Sequence, residues 1–264
     1  MMIDVKNIKK SFGANEVLRG VSFSVDKGEI ISVIGPSGSG KSTMLRSLIG
    51  LEKVDAGSIS IDGGAFVENG KYVKEREQRR ILSKTGMVFQ HFNLFPHMTV
   101  KGNMICAPVT NRIMSKEEAC DKCRFFLEKV GLADKINEMS SSLSGGQKQR
   151  ISIARALMKD AAILILDDSV SAVDVSTEKV ILDNLKKNRA GKTTILIAHR
   201  ITTVEGMDKI IFIDDGKIAA VGTHAELVDT CRDYREMVEL QRLNDAGDST
   251  VSADSAADKE GGDL

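Results

Sequence analysis

One run of eight residues limits the possible folds more than anything else in the chain. Gly35-Pro36-Ser37-Gly38-Ser39-Gly40-Lys41-Ser42 fits the pattern G-x-x-x-x-G-K-[ST]. The apolar stretch EIISVI (residues 29–34) precedes it and reads as a strand, and from Lys41 to Ile49 the pattern turns helical until Gly50 stops it. Glycines let the backbone fold tightly so that successive N–H groups face phosphate oxygens, and the helix that follows adds the positive end of its dipole. Lys41 is expected to reach the β- and γ-phosphates of a nucleotide and the Ser42 hydroxyl to coordinate Mg²⁺. Thr43, next in line, belongs to the same phosphate-binding run. Such a strand–loop–helix unit requires an α/β fold.

A nucleotide site of this kind needs a second carboxylate-bearing strand, and ILILDD (residues 163–168) supplies one. Open α/β sheets bind ligands beyond the carboxyl ends of their strands. Asp167 is therefore expected beside the metal, and Asp168 where it can polarise a water for attack on the γ-phosphate. Further strands are predicted at 3–8, 21–25, 57–62, 86–89, 193–198, 209–213 and 217–221. Helices are predicted at 115–130, 144–158 and about 176–188, and residues 91–160 read as an amphipathic helical region between two strand-rich parts. Alternating strands and helices imply a partly parallel sheet. Thr223 and Glu226 form a capping box that opens the last helix, which makes His224 a first-turn residue. After about Leu243 the composition turns to Ser, Ala, Asp and Gly, so residues 244–264 are expected to be a disordered acidic tail.

Composition removes several classes of function. Lys+Arg and Asp+Glu are both 37 in 264 residues, so no global charge draws the chain to nucleic acid. Its longest apolar stretches are too short to span a bilayer, and its start lacks the apolar core of a secretory signal. Four cysteines are expected to be reduced thiols, and the pair Cys120-x-x-Cys123 sits in a helical pattern without a second pair to complete a zinc site.

The ordered set of remaining motifs resembles the ATP-binding subunits of ABC transporters. Leu143-Ser144-Gly145-Gly146-Gln147 is similar to that family's LSGGQ signature, just before ILILDD. Gln90 after MVFQ resembles its Q-loop residue, His199 after ILIAH its switch histidine, and Asp174 in SAVD its D-loop aspartate. Phe12 stands where the family places an aromatic ring against adenine. The matches span about residues 3–242. The resemblance implies an ABC ATPase fold within residues 1–243: a mixed central sheet, an antiparallel β subdomain and a helical subdomain inserted at about 91–160. It implies Mg²⁺ held by Ser42, Gln90 and Asp167, with Asp168, His199 and Gln90 around the reacting phosphate. It also implies a second copy whose Ser144, Gly145, Gly146 and Gln147 clamp the ATP held by the first, with Asp174 nearby. Separate membrane-spanning permease subunits, a solute-binding protein and a place on the cytoplasmic face of the membrane are implied as well, and no nucleic-acid partner.

Two halves of the chain lean toward different branches. VLRGVSFSVDKGEIISVIGPSGSGKST and VFQHFNLFPHMTV are similar to polar amino acid uptake ATPase subunits. LILDDSVSAVDVSTEKVILDNL, KTTILIAHR and DDGKIAAVGTHAEL look more like exporter-type ATPase domains, so the chain reads as a natural mosaic or an artificial chimera. Uptake subunits normally carry Glu where Asp168 stands. The implied function is an ATPase that couples nucleotide binding and dimer closure to uptake of polar amino acids. The alternatives are an exporter-type ATPase domain or a slowly hydrolysing regulatory ABC protein.

Overall fold

In the computed structural model, residues 1–168, 175–198 and 200–243 are described, with the backbone alone at 175–177. They form two sheets and a set of helices. The first sheet is antiparallel, in the order β2-β1-β4-β5-β6, from β1 (Ile3–Phe12), β2 (Asn15–Val25), β4 (Ala56–Ile61), β5 (Gly64–Glu68) and β6 (Lys71–Tyr72). The second is mixed and six-stranded, in the order β11-β10-β3-β9-β8-β7. Its members are β3 (Ile30–Ile34), β7 (Thr85–Val88), β8 (Ile163–Leu166), β9 (Thr193–Ile197), β10 (Lys209–Asp214) and β11 (Lys217–Gly222). All neighbours in it are parallel except β10 and β11, which form an antiparallel hairpin.

The parallel strands are short apolar runs because both faces are covered. Along β8, Ile163 and Ile165 point into a core shared with the antiparallel sheet and with Met44, Leu45 and Leu48 of α1 (Lys41–Leu48). Leu164 and Leu166 point into a second core, with Ile153 of α5 (Gly145–Met158) and Leu182 and Leu185 of α6 (Val175–Asn188). That two-residue alternation lets one strand fill two cores at once. The sheets join where the Arg19 N–H donates to the Gly216 carbonyl at 2.8 Å and Arg19 pairs with Asp215.

Between β7 and β8 lies a third core, where α3 (Val100–Thr110) and α4 (Lys116–Lys129) pack against α5 around Met104, Leu127, Ile151 and Ala154. Asn103 is buried there; its Oδ1 accepts from the Phe95 N–H at 2.7 Å, while its Nδ2 donates to the carbonyls of Phe95 and Thr99. This fixes the loop that follows β7.

Several elements depart from the sequence reading. The strands expected at 3–8 and 21–25 are arms of one longer hairpin, whose alternation is broken by register shifts near Asn7 (φ 49°) and Gly20 (φ 92°). The β5–β6 hairpin and α2 (Glu75–Leu82) were not foreseen; Asn69 (φ 50°) and Gly70 (φ 77°) make the hairpin turn, and only Ile81 of α2 is buried. A four-residue helix, α7 (Ile201–Val204), was also missed. The Thr223–Glu226 capping box is present but opens α8 (His224–Thr230), which is not the last helix, since α9 (residues 232–243) follows. His224 is more than a first-turn residue, because its Nδ1 lies 2.8 Å from the buried Tyr234 hydroxyl of α9. Cys123 lies in a helix, α4, as its pattern predicts, and is buried there; burial pushes its thiol up to about 11, which keeps it protonated and inert. The expected tail, residues 244–264, lies outside the described residues.

Candidate functional site

The strand order decides where the site forms. β3, β9, β8 and β7 are consecutive and parallel, so their carboxyl ends share one edge. From β3 the chain enters the glycine loop and α1. From β8 it enters Asp167 and Asp168, from β7 it reaches Gln90 two residues on, and His199 follows β9.

Two glycines of the loop are required by close approach. A Cβ on Gly35 (φ 149°) would lie 1.9 Å from the Ile213 carbonyl oxygen, and one on Gly40 (φ 98°) 2.9 Å from that of Val17. Gly40 is also the N-cap of α1 and offers no side-chain acceptor, so the first-turn N–H groups face outward. Lys41 is buried, and its Nζ donates to the carbonyls of Gly35 at 2.8 Å and Pro36 at 2.6 Å. Burial pushes the Lys41 ammonium below its usual range, opposed by the Asp168 carboxylate. The buried Ser39 hydroxyl has no hydrogen-bond partner among the described residues.

Asp167 lies behind the loop and is fully buried. Its Oδ1 accepts from Ser42 Oγ at 2.7 Å, and its Oδ2 accepts from Arg46 Nε at 3.2 Å and an Arg46 terminal nitrogen at 3.1 Å. Asp168 adopts a left-handed backbone (φ 49°), and its Oδ2 accepts from Gln90 Nε2 at 3.1 Å. A cavity of about 270 Å³ is lined by Ser37, Gly38, Gly40, Lys41, Ser42 and Thr43, with Gln90 and Asp168 opposite and Val17 and Ile197 beside them. The donors suit a polyphosphate: backbone N–H groups, a lysine and hydroxyls. The Ser42–Asp167 pair offers two hard oxygen donors, which suit Mg²⁺ because that ion takes one or two protein ligands and completes its shell with phosphate and water. A larger cavity of about 370 Å³ between α4, α5 and α6 is lined mainly by apolar side chains such as Phe126, Ile153 and Leu157. It holds none of the motif residues, and its basic lining residues are Lys129 and Arg150.

Other predicted residues stand apart. Phe12, 48 % exposed near the tip of the β1–β2 hairpin, does not line the cavity, and Lys10 Nζ lies 4.8 Å above its ring. Ser144 and Gly145 are exposed at the start of α5. There Ser144 Oγ accepts from the Gln147 N–H, and the Ser144 N–H donates to Gln147 Oε1 at 2.9 Å, a closed capping box. None of residues 144–147 lines the cavity. Asp174 and His199 lie outside the described residues. The chain beside His199 is braced: Arg200 pairs with Glu178, and the Ile201 N–H donates to Gln241 Oε1 at 2.9 Å.

Four contributors escaped the sequence reading, among them Ile197, which lines the cavity from the end of β9. Arg46 could have been found, because it stands four residues after Ser42 on the same helical face. Val17 belongs to a distant strand and left no local sign. Arg155 of α5 donates to the carbonyls of Phe92 (3.0 Å) and Asn93 (2.7 Å), tying the segment after Gln90 to the helix that Ser144 opens.

Residues 18–171 match the family model described as ABC transporter. The chain belongs to the ABC transporter ATP-binding family. It is 37 % identical over 244 residues to the glutamine transport ATP-binding protein GlnQ of Bacillus subtilis, covering 92 % of this chain and 99 % of that protein. It is 39 % identical to the arginine transport ATP-binding protein ArtM of the same organism, covering 92 % of this chain and all of that one. Among solved structures, a bacterial Atm1-family ABC exporter with ATP bound superimposes with a TM-score of 0.78 at 31 % identity, over 90 % of this chain but 41 % of the exporter's. A dimeric ATP-binding cassette in a post-hydrolysis state with ADP and Pi bound gives 0.76 at 33 % identity, over 84 % of this chain and 98 % of that one. The ABC fold and the ATPase class expected from the motifs are thereby established. Lys41→Ala should abolish nucleotide binding at micromolar concentrations without unfolding the chain, measured with a fluorescent ATP analogue alongside a melting curve.

Proposed function

We propose that this chain is the ATP-binding subunit of a transporter for polar amino acids, at the cytoplasmic face of a membrane, working as a dimer on separate permease subunits. The observation that carries the ATPase part is the convergence of Lys41, Ser42, Asp168 and Gln90 on one cavity at the carboxyl ends of three parallel strands. The solute class rests on near full-length similarity to subunits named for glutamine, arginine and L-cystine transport. Among the described residues no helix is long and apolar enough to cross a membrane, so the permease role falls to other chains in this reading.

In the proposed cycle, the loop from Gly35 to Thr43 holds the phosphates of ATP and Phe12 covers the adenine. Ser42, Asp167 and Gln90 hold Mg²⁺, which supplies charge neutralisation on the phosphates. Asp168 polarises the attacking water, and His199 stabilises the charge that develops on the γ-phosphate. Ser144, Gly145, Gly146 and Gln147 close on the ATP of the opposite copy, with Asp174 beside the shared site. Gly145 supports the clamp. A Cβ there would meet nothing closer than Phe92 Cζ at 4.0 Å, so packing within the chain does not require glycine. Any side chain on this exposed helix start would stand between the chain and an outside group approaching it. The four residues also lie outside their own chain's cavity, as a clamp on a second copy requires. A relative solved as a dimer with ADP and Pi bound supports the pairing of two copies.

Asp168 modifies the chemistry. Its carboxylate is one methylene shorter than a glutamate's and is held by Gln90. A displacement of about 1 Å can cost about a hundredfold in rate, so the dimer is read as a tight binder and slow hydrolyser of ATP.

Three outcomes test these readings. Reconstituted in liposomes with the permease genes beside its own, the chain should hydrolyse ATP faster when glutamine, arginine or cystine is supplied with the binding protein. An indifferent rate across all polar amino acids would remove the solute assignment. Ser144→Arg should leave nucleotide binding by the monomer intact and abolish the ATP-induced dimer in gel filtration; a normal dimer would refute the clamp. Asp168→Glu should raise the single-turnover hydrolysis rate at least tenfold, and an unchanged or lower rate would refute the slow-base reading.

A further inference from the structure

Arg46 is the charged partner of Asp167 that none of the motifs includes. Three contacts fix the position of that aspartate. Its backbone N–H donates to the Val88 carbonyl at 2.9 Å, which anchors it to β7. Ser42 Oγ meets Oδ1 at 2.7 Å, and two nitrogens of the Arg46 guanidinium meet Oδ2 at 3.1 and 3.2 Å. Ser42 and Arg46 stand one helical turn apart on α1, so a single rigid element addresses both oxygens of one carboxylate. With the backbone fixed, the side chain retains only its two torsions. The guanidinium's planar fork, closing on one oxygen, removes that freedom and leaves Oδ1 aimed at the Ser42 hydroxyl.

We propose that Arg46 is a positioning residue for the metal site: it holds Oδ2 of Asp167 so that Oδ1 stays beside Ser42 to receive Mg²⁺. The inference rests on the reading of Asp167 as the metal-associated carboxylate, and it concerns orientation rather than charge. The two make opposite forecasts. A cation within hydrogen-bond reach of a metal ligand repels the metal, so if Arg46 acted by charge alone its loss would tighten metal binding. If Arg46 acts by holding the carboxylate, its loss weakens metal binding, because the freed side chain must be ordered again on each encounter.

The test uses the full chain with a non-hydrolysable ATP analogue and Mn²⁺ as probe, titrated by electron paramagnetic resonance. Arg46→Met is expected to weaken Mn²⁺ binding to the nucleotide complex about tenfold, while analogue affinity measured in EDTA stays within about twofold of the parent. Arg46→Lys, which keeps the charge without the fork, is expected to recover only part of the loss. Unchanged or tighter Mn²⁺ binding in Arg46→Met, or an equal fall in metal-free nucleotide affinity, would overturn the proposal. Should Arg46→Met not fold, judged by its melting curve, Arg46→Gln is read by the same criteria. Asp167→Asn separates the two layers: if it leaves Mn²⁺ affinity intact, the metal role of Asp167 itself is wrong, whatever Arg46 does.

Discussion

The whole site depends on four parallel strands buried on both faces. β3, β9, β8 and β7 each fill two cores with alternate side chains, and this double burial fixes their register. A slip of one residue in β8 would exchange Ile163 and Ile165 with Leu164 and Leu166 and carry Asp167 away from Ser42. The hydrophobic demand on the strands is thus also what aims the polar residues at their ends. Gly35 shows how tight the arrangement is, since any side chain there would collide with the Ile213 carbonyl of β10.

Helix α5 connects this edge to the rest of the molecule. Its first turn carries the exposed Ser144–Gln147 cap, its middle packs against α3 and α4, and Arg155 grips the segment after Gln90. Arg155 thus ties the segment after Gln90 to the helix whose first turn carries Ser144.

Over nearly its whole length the chain is related to amino acid import subunits, and its fold also superimposes on the cassette portion of an exporter. The Arg200–Glu178 pair and the Gln241 side chain of α9, which holds the Ile201 N–H, brace the start of α7. Asp168, which follows β8, is held by Gln90, which follows β7.

Much of this was legible in the residues. The glycine loop, the strand before it, the two aspartates after β8 and the capping box of α8 are local signals, each set by neighbours within a few positions. Short apolar runs also marked most strands of the parallel sheet, and alternation marked β4. What failed was equally physical: bulges at Asn7 and Gly20 broke the alternation of a long hairpin, and α2 buries only Ile81, too little for a periodic pattern. The Asn69-Gly70 turn was a readable sign of the β5–β6 hairpin that went unused. By itself, then, the sequence determined the fold class, the nucleotide chemistry and the family, because those depend on short-range backbone geometry. Only the tertiary structure decided that Arg46 and Ser42 share one carboxylate, that Gln90 holds Asp168, and that Ser144 lies outside its own cavity. Those facts follow from which strands lie side by side, and strand order is set by burial across the whole chain rather than by any segment of it.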